Sequence, residues 1–425
     1  MRIRWSHRNH RNAIRHRRSV LSRLATVDAL DPTIFPDPAT DAVLAKYQEA
    51  YVGQMTIPVG VVGPLAVSLG QYTLDEPDGA VREVGRSMES VFLPLGHTEG
   101  GLSASMLRGL TAANEAGGVQ VRLLKDQMTR DSAYQFDDMQ HALAFRDWVL
   151  AEEANLKAWV RDPGNPGYQS KTPGKKPLLS RHAHLWRIEP RLVGPVCHLL
   201  YRFSTGDACG PNMMTRNAYA LNTEIVNRWA QIGPAPRRLF LEANLGGDKK
   251  PSWAYVDGGH GKTVTAWVDF PDEVLRHRLH IDPEAIGELE WVGLHGAHHS
   301  GMQSFAFTPA SAVAALFTVT GQDLGMVGTS SMAQASVWRH AGRTSLAIQF
   351  SGLEVGTVGG GTSLPHAETY LRLMGCNQPG GAQRLAQIVA AAALCLEISA
   401  AASMASHASE NFMRTHLERG GLRGE

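Results

Sequence analysis

The 425-residue chain is poor in cysteine, with four widely scattered thiols at Cys197, Cys209, Cys376 and Cys395. No Cys-x-x-Cys pair occurs, which argues against a structural zinc site or a redox dithiol, and no His/Cys/Asp set has ligand spacing, so no metal is expected. Thiols this sparse fit a reducing cytoplasm, the expected location. An excess of one charge is also missing: 41 Lys and Arg against 40 Asp and Glu leave a formal +1, so bulk charge points to neither nucleic acid nor a membrane surface. The N-terminus is basic through Arg18 and has no apolar stretch of the kind a signal peptide needs. Long apolar runs are scarce. The most apolar, Ile388 to Ala405, is mostly alanine and contains Glu397, which would be costly in lipid. It is expected to be a buried helix, not a membrane span.

What is present is enough apolar material, 43% of residues, for large cores, in a length that suggests two or three domains. Residues 1–50 form an N-terminal basic helical segment. Its first 24 residues read as a solvated helix or frayed arm; a nucleic-acid arm is the competing reading, but no aromatic platform accompanies the charge. Residues 55–65 look like strand edges with tight turns, 87–117 have helical spacing, and 119–124 alternate like a strand. An amphipathic helix is predicted over 137–161, with Leu143, Phe145, Trp148 and Leu150 on its apolar positions, followed by an exposed loop over 162–176. Strand-like runs at 183–187 and 196–203, a helix at 212–230 and a strand at 238–242 complete a compact α+β unit, of which the ferredoxin-like arrangement is one pattern. The expected map is therefore an α/β large domain, 51–131 and 241–425, with an inserted α+β domain at 132–240. In the large domain, strands are predicted at 262–269 and 345–352, and helices at 308–320 and 381–416.

Five short segments place charged or turn residues in apolar surroundings, which is expensive for structure alone. In His97-Thr-Glu-Gly-Gly-Leu-Ser-Ala-Ser105, Glu99 precedes a double glycine that opens a small-residue helix. Buried beside a ligand it would act as an acid near neutral pH; at a helix N-terminus it would merely complement the dipole, and spacing does not choose between the two. Gly246-Gly-Asp-Lys-Lys-Pro251 fixes Lys249 and Lys250 beside Asp248, either as an oxyanion-stabilising loop or as a solvated turn. Thr320-Gly-Gln-Asp323 puts a carboxylate at the negative end of a helix, unfavourable unless a cation pairs with it. Thr205 to Arg216 is a glycine-bearing turn opening a helix, able to offer backbone N–H groups to phosphate, with Arg216 as a charged partner; it is not G-x-G-x-x-G, so a standard Rossmann site is not indicated. Gly359, Gly360 and Gly361 permit close approach of a ligand or form a plain strand-to-helix turn.

Taken as a set, these segments resemble the class I hydroxymethylglutaryl-CoA (HMG-CoA) reductase family, from Ala13-Ile-Arg-His-Arg-Arg18 to His416. The segments that recur in family order are 58–65, Thr98-Glu-Gly100, Met128-Thr-Arg130, Gly206 to Met213, Asp248-Lys-Lys-Pro251, Thr320-Gly-Gln-Asp323 and Glu354 to Thr362. The resemblance implies NADPH-dependent reduction of the thioester HMG-CoA to mevalonate and CoA, through a hemithioacetal and an aldehyde. It gives Lys249 the oxyanion, Glu99 the proton donation, and Asp323 the coupling of the two. It assigns a C-terminal histidine, His416 or else His407, to protonate the departing CoA thiolate. Arg130 would bind the acid end of the acyl group, with Asp248, Lys250 and Ser311 also on the substrate side. Ser180, Arg181, Asp207, Asn212, Met213, Arg216 and the glycines 359–361 would meet NADP(H), with Arg216 favouring the 2′-phosphate over NAD. Ligands bound between subunits imply a homodimer or higher assembly, with no membrane or nucleic-acid partner.

Two departures bear on the substrate. Ser311 stands where the family has a substrate-site asparagine, and Glu242 where it usually has serine, a carboxylate that would repel an acidic acyl group unless neutralised. A reductase of another 3-hydroxyacyl or dicarboxylic thioester, and a non-catalytic nucleotide or nucleic-acid binder on the same scaffold, are the competing readings. Joint retention of Glu99, Lys249 and Asp323 argues against the last.

Overall fold

A computed structural model describes residues 11–25, 35–75 and 79–417. The central feature is a mixed sheet built on a long hairpin. Strand β1 (Val59–Asp75) pairs antiparallel with β2 (Ala80–Gly96), and β3 (Val119–Gln135) joins β1 in parallel at Val67↔Val119. Beyond β3 the sheet continues antiparallel through β7 (Gly261–Pro271), β9 (Arg343–Leu353) and β8 (Ala333–His340), in the order β2-β1-β3-β7-β9-β8. Strand β3 serves two sheets. Gln120 to Gln127 pair with β7, whereas Met128 to Gln135 pair with β5 (Val196–Phe203). Strands β4 (Leu185–Val193) and β6 (Arg238–Phe240) complete a second, fully antiparallel sheet, β4-β5-β3-β6. The change of sheet thus occurs within one continuous strand, which also contains residue 131, the expected domain boundary.

Helices of eight residues or more are α1 (Arg11–Ala25), α2 (Leu102–Glu115), α3 (Met139–Arg161), α4 (Pro211–Trp229), α5 (Pro283–Ser300), α6 (Pro309–Thr320), α7 (Pro365–Leu373), α8 (Gly381–Met404) and α9 (Glu410–Leu417). Two hydrophobic cores result. One gathers Leu65, Val121, Phe317 and Ile388 between the first sheet and α2, α6 and α8; the other gathers Tyr134, Phe145, Tyr201 and Trp229 between the second sheet and α3 and α4. On α3 the buried positions include Phe145, Val149, Leu156 and Val160, while Leu150 is exposed.

Three expectations need correction. Residues 87–96 are not helical; they are the end of β2, where Val91, Leu93 and Leu95 point inward and Phe92 outward. Pairing with β1 decides the matter, and only from Leu102 does helical spacing become helix. The helix expected over 381–416 is broken: α8 stops at Met404, Ala408 and Ser409 take left-handed φ values of 49° and 55°, and Ser406 Oγ accepts from Asn411 N–H at 3.1 Å before α9 begins. The basic N-terminal helix is docked rather than a frayed arm. Ile14 and Val20 are buried, Arg17 Nε donates to Tyr51 O at 2.9 Å, and Arg18 pairs with Asp41 at 2.6 Å.

Helix α8 is long and apolar enough to cross a membrane, yet 94% of that stretch is buried inside the fold. Two of its buried polar side chains tie it to neighbouring elements. Gln387 bonds both N–H and C=O of Gly70, at 2.8 and 2.9 Å. Glu397 accepts from Phe307 N–H (2.8 Å), Thr308 N–H (2.9 Å) and Thr308 Oγ1 (2.6 Å), anchoring the start of α6. Burial raises the Glu397 pKa above its ordinary 4.5, against the pull of these three bonds. A raised carboxyl pKa means that the folded state holds the proton more tightly than the unfolded chain. This contribution to stability is complete below pH 4.5 and is lost as pH rises through the folded-state value. Glu397→Gln should therefore cost about 1–2 kcal/mol, with the larger Tm gap from the parent at acid pH and the smaller at neutrality. A gap that grows from acid to neutral pH would contradict this.

Candidate functional site

The loop between β6 and the short helix Trp253–Gly258 is wound tightly by its sequence. Asn244, Gly247 and Lys249 all take left-handed φ, at 72°, 76° and 57°. Gly246 lies so close to β3 that a Cβ there would stand 3.1 Å from Asp131 N, and the Asp131 carboxylate accepts from Leu245 N–H (3.1 Å) and faces His198 Nδ1 (3.0 Å). Pinned in this way, the loop turns Asp248 inward and Lys249 outward. Lys249 Nζ meets Asp323 Oδ2 at 2.8 Å, each side chain 46% exposed. Asp323 follows Gly321, the left-handed C-cap of α6, and its Oδ1 accepts from Gly325 N–H at 2.9 Å. The carboxylate at the helix's negative end thus has the cation it needs. The hydrogen bond to Asp323 raises the Lys249 pKa, assisted by the Asp248 and Glu354 charges and opposed by desolvation, so the ammonium is charged at neutral pH.

Arg130 lies beneath this pair, its side chain 5% exposed. One guanidinium nitrogen bonds Glu242 Oε2; the other donates to Asp248 Oδ2 (3.1 Å) and Pro211 O (3.3 Å). Arg130, Asp248, Lys249 and Asp323 line a cleft of ≈ 1110 Å³. Ser180, Arg181, Asn212, Met213 and Arg216 line it too, around the opened N-terminus of α4, as do Gly359, Gly360 and Gly361. Such a volume suits a dinucleotide-sized ligand, and the helix start and glycine run suit phosphate. Arg216 also donates to Pro177 O, which ties α4 to the segment before Ser180.

Asp207 and Lys250 are not in this wall. The Asp207 carboxylate accepts from Gly380 N–H (3.0 Å) and Ala382 N–H (2.9 Å), while its carbonyl accepts from Thr357 N–H (2.7 Å) and Val358 N–H (3.2 Å). It ties the start of α8 to the glycine segment rather than facing the cleft. Lys250 is exposed on the loop. Glu99 and Ser311 line a second cleft of ≈ 500 Å³, together with His97 and the outer face of α6. The two clefts adjoin along the chain, Met326 lining the first and Val327 the second. His407 is exposed in the turn before α9; His416 lies in α9, with its side chain outside the described residues.

The sequence reading missed a buried polar layer under the loop. His260 Nδ1 accepts from Thr129 N–H at 3.3 Å, and Glu354 Oε1 accepts from Tyr255 OH (3.2 Å) and Thr329 Oγ1. Asp248, His260 and Glu354 offer ligand atoms within 4.8 Å of one another, the one such set among the described residues. Thr129 Oγ1 also lies 2.5 Å from His260 Nδ1 and donates to Gly246 O at 2.5 Å, while His260 Nε2 stands 3.5 Å from Glu354 Oε2. A histidine after Gly258-Gly259 and a glutamate heading the glycine run were the available signals; only tertiary pairing joins them.

Comparison with known proteins agrees over nearly the whole chain. The family model described as Hydroxymethylglutaryl-coenzyme A reductase matches residues 13–420. The 3-hydroxy-3-methylglutaryl-coenzyme A reductase of Haloferax volcanii is 32% identical over 402 residues, covering 93% of this chain and 89% of that protein. Its counterpart in Pyrococcus abyssi is 34% identical over 372 residues, covering 86% and 83%. Among solved structures, the class II enzyme from Streptococcus pneumoniae bound to NADPH in open conformations matches with a TM-score of 0.60 at 17% identity, over 92% of this chain and 97% of that one, a likeness of fold.

Proposed function

The chain belongs to the hydroxymethylglutaryl-coenzyme A reductase family, and from that premise we propose that it reduces HMG-CoA to mevalonate and CoA at the expense of two NADPH. The observation that carries this reading is the Lys249–Asp323 pair, an ammonium held at 2.8 Å from a carboxylate on the wall of a dinucleotide-sized cleft. NADPH, when bound, supplies the hydride. Residues around the start of α4 (Ser180, Arg181, Asn212, Met213, Arg216) and Gly359 to Gly361 would hold it, offering backbone N–H groups and two guanidinium groups to its phosphates.

In this mechanism Lys249 neutralises the negative charge that grows on the former carbonyl oxygen each time hydride arrives. Asp323 fixes the direction of the ammonium. Glu99 supplies a proton, and His416, with His407 as the other candidate, protonates the departing CoA thiolate. Arg130, Asp248, Lys250 and Ser311 form the acyl side. Glu99 and Ser311 line the neighbouring cleft, and a homodimer with shared sites brings the two sets to one substrate. We read 132–240 as the inserted nucleotide-binding domain with a ferredoxin-like arrangement. The antiparallel order β4-β5-β3-β6, with α3 and α4 packed against it, supports that reading.

The deciding experiment follows the loss of NADPH absorbance on addition of HMG-CoA, with mevalonate and free CoA identified as products. HMG-CoA-dependent oxidation is expected. Silence with HMG-CoA and turnover with another dicarboxylic thioester would move the substrate and leave the reaction class.

A further inference from the structure

We infer that Glu242 is a built-in competitor for the acid end of the substrate: its carboxylate occupies the Arg130 guanidinium, and an anionic acyl group must displace it to bind. The inference rests on the proposed reading of Arg130 as the cation that meets the acyl acid.

Arg130 has little left to offer. One terminal nitrogen is taken by Glu242, the other by Asp248 and Pro211 O, and the buried Nε has no partner. Two carboxylates already face one buried cation. A third would add a negative charge in a poorly solvated place, which is costly unless one of the first two leaves. The two are not held equally. Asp248 sits between left-handed Gly247 and Lys249 in the tight loop, and its Oδ1 turns into the buried layer beside His260 and Glu354. Glu242 lies just past the end of β6, with a side chain 33% exposed against 20% for Asp248. Besides Arg130 it holds the Asn244 N–H, at 2.9 Å from Oε1. Rotating Glu242 toward solvent therefore frees one guanidinium edge and gives up one solvent-near bond, whereas moving Asp248 would unwind the loop that carries Lys249.

The exchange has a defined selectivity. A carboxylate tethered beside Arg130 competes at a high effective concentration with any acid arriving from solution. Acyl ends bearing a carboxylate meet that competition; ends lacking one do not, since they have no claim on Arg130. Glu242 thus sets how strongly the site rewards a negative charge on the substrate.

The test is Glu242→Gln, which keeps the length and the acceptor for Asn244 N–H but removes the charge, with Glu242→Ser as a second variant should the first fold poorly. KM is compared for HMG-CoA and for its terminal methyl ester, at saturating NADPH. The variant should lower KM for the acid about tenfold and leave that for the ester within about twofold. Calorimetry with free 3-hydroxy-3-methylglutarate provides a readout that needs no turnover, and affinity for this diacid should rise by a similar factor. Unchanged or weaker binding of the diacid, or a KM drop equal for acid and ester, overturns the inference. Failure of the parent protein to turn over HMG-CoA overturns the proposed reaction instead, and calorimetry still decides the role of Glu242.

Discussion

Lys249→Met is expected to lower kcat by roughly 10³-fold in both the thioester and the aldehyde half-reactions, with NADPH affinity changed only a few-fold. The side chain is half exposed and lies outside both hydrophobic cores, so its loss removes charge rather than core packing. What it leaves behind is telling. Asp323 and Asp248 remain, and without the ammonium they present negative charge where an oxyanion must form. The barrier rises from lost stabilisation and from repulsion together, in each step that places charge on oxygen. Stopped-flow measurement of NADPH oxidation with HMG-CoA and with mevaldehyde checks this. Near-parent rates on both substrates would remove Lys249 from the chemistry; loss on the thioester alone would confine it to the first reduction.

Gly109→Ala should destabilise the fold by about 3 kcal/mol or more, read as a lower Tm and a lower denaturation midpoint. Gly109 lies in α2 where that helix crosses α8. A Cβ there would stand 1.8 Å from the backbone oxygen of Cys395. The obstacle is main chain in mid-helix, so no rotamer change relieves it. One helix must move away from the other and open a gap in the largest core, losing contacts on both sides. An Ala variant with unchanged Tm would show that the two helices are not in backbone contact. The same displacement would shift Glu397, two residues along α8, and with it the start of α6, so reduced turnover is expected even where the variant still folds.

Much of this arrangement could be read from residue order. The helix–strand–strand–helix–strand series between 137 and 242 has the right types because glycine or proline follows or interrupts most of its elements, at Pro163-Gly164, Gly194-Pro195, Gly210-Pro211 and Gly233-Pro234. The pairing demand of Asp323 was visible because a carboxylate at a helix C-terminus requires a cation, and Lys249 is the one found. Other parts were illegible for physical reasons. Val91, Leu93 and Leu95 alternate as a strand does, but small residues between 87 and 117 also satisfy a helical period, and only β1 chooses. Helix α5 was overlooked despite the Asp282-Pro283 start signal, because its exposed face carries Trp291, Val292 and Leu294 and blurs the amphipathic pattern. Glu242 was recognisable as a charge out of place; that it would spend itself on Arg130 depends on contact across the fold. Asp207 shows the converse, since a motif residue expected at the cofactor caps α8 instead.

The strand shared by both sheets has a mechanical consequence. With β7 gripping its first half and β5 its second, β3 behaves as a torsion bar, and the changeover falls between Gln127 and Met128, two residues before Arg130. No unpaired residue separates the two pairings at that point, so a rotation of one sheet against the other has to be taken up as twist of hydrogen-bonded main chain next to Arg130. Lys262, buried and paired with Asp126 at 3.2 Å, clamps the bar on the near side of that joint.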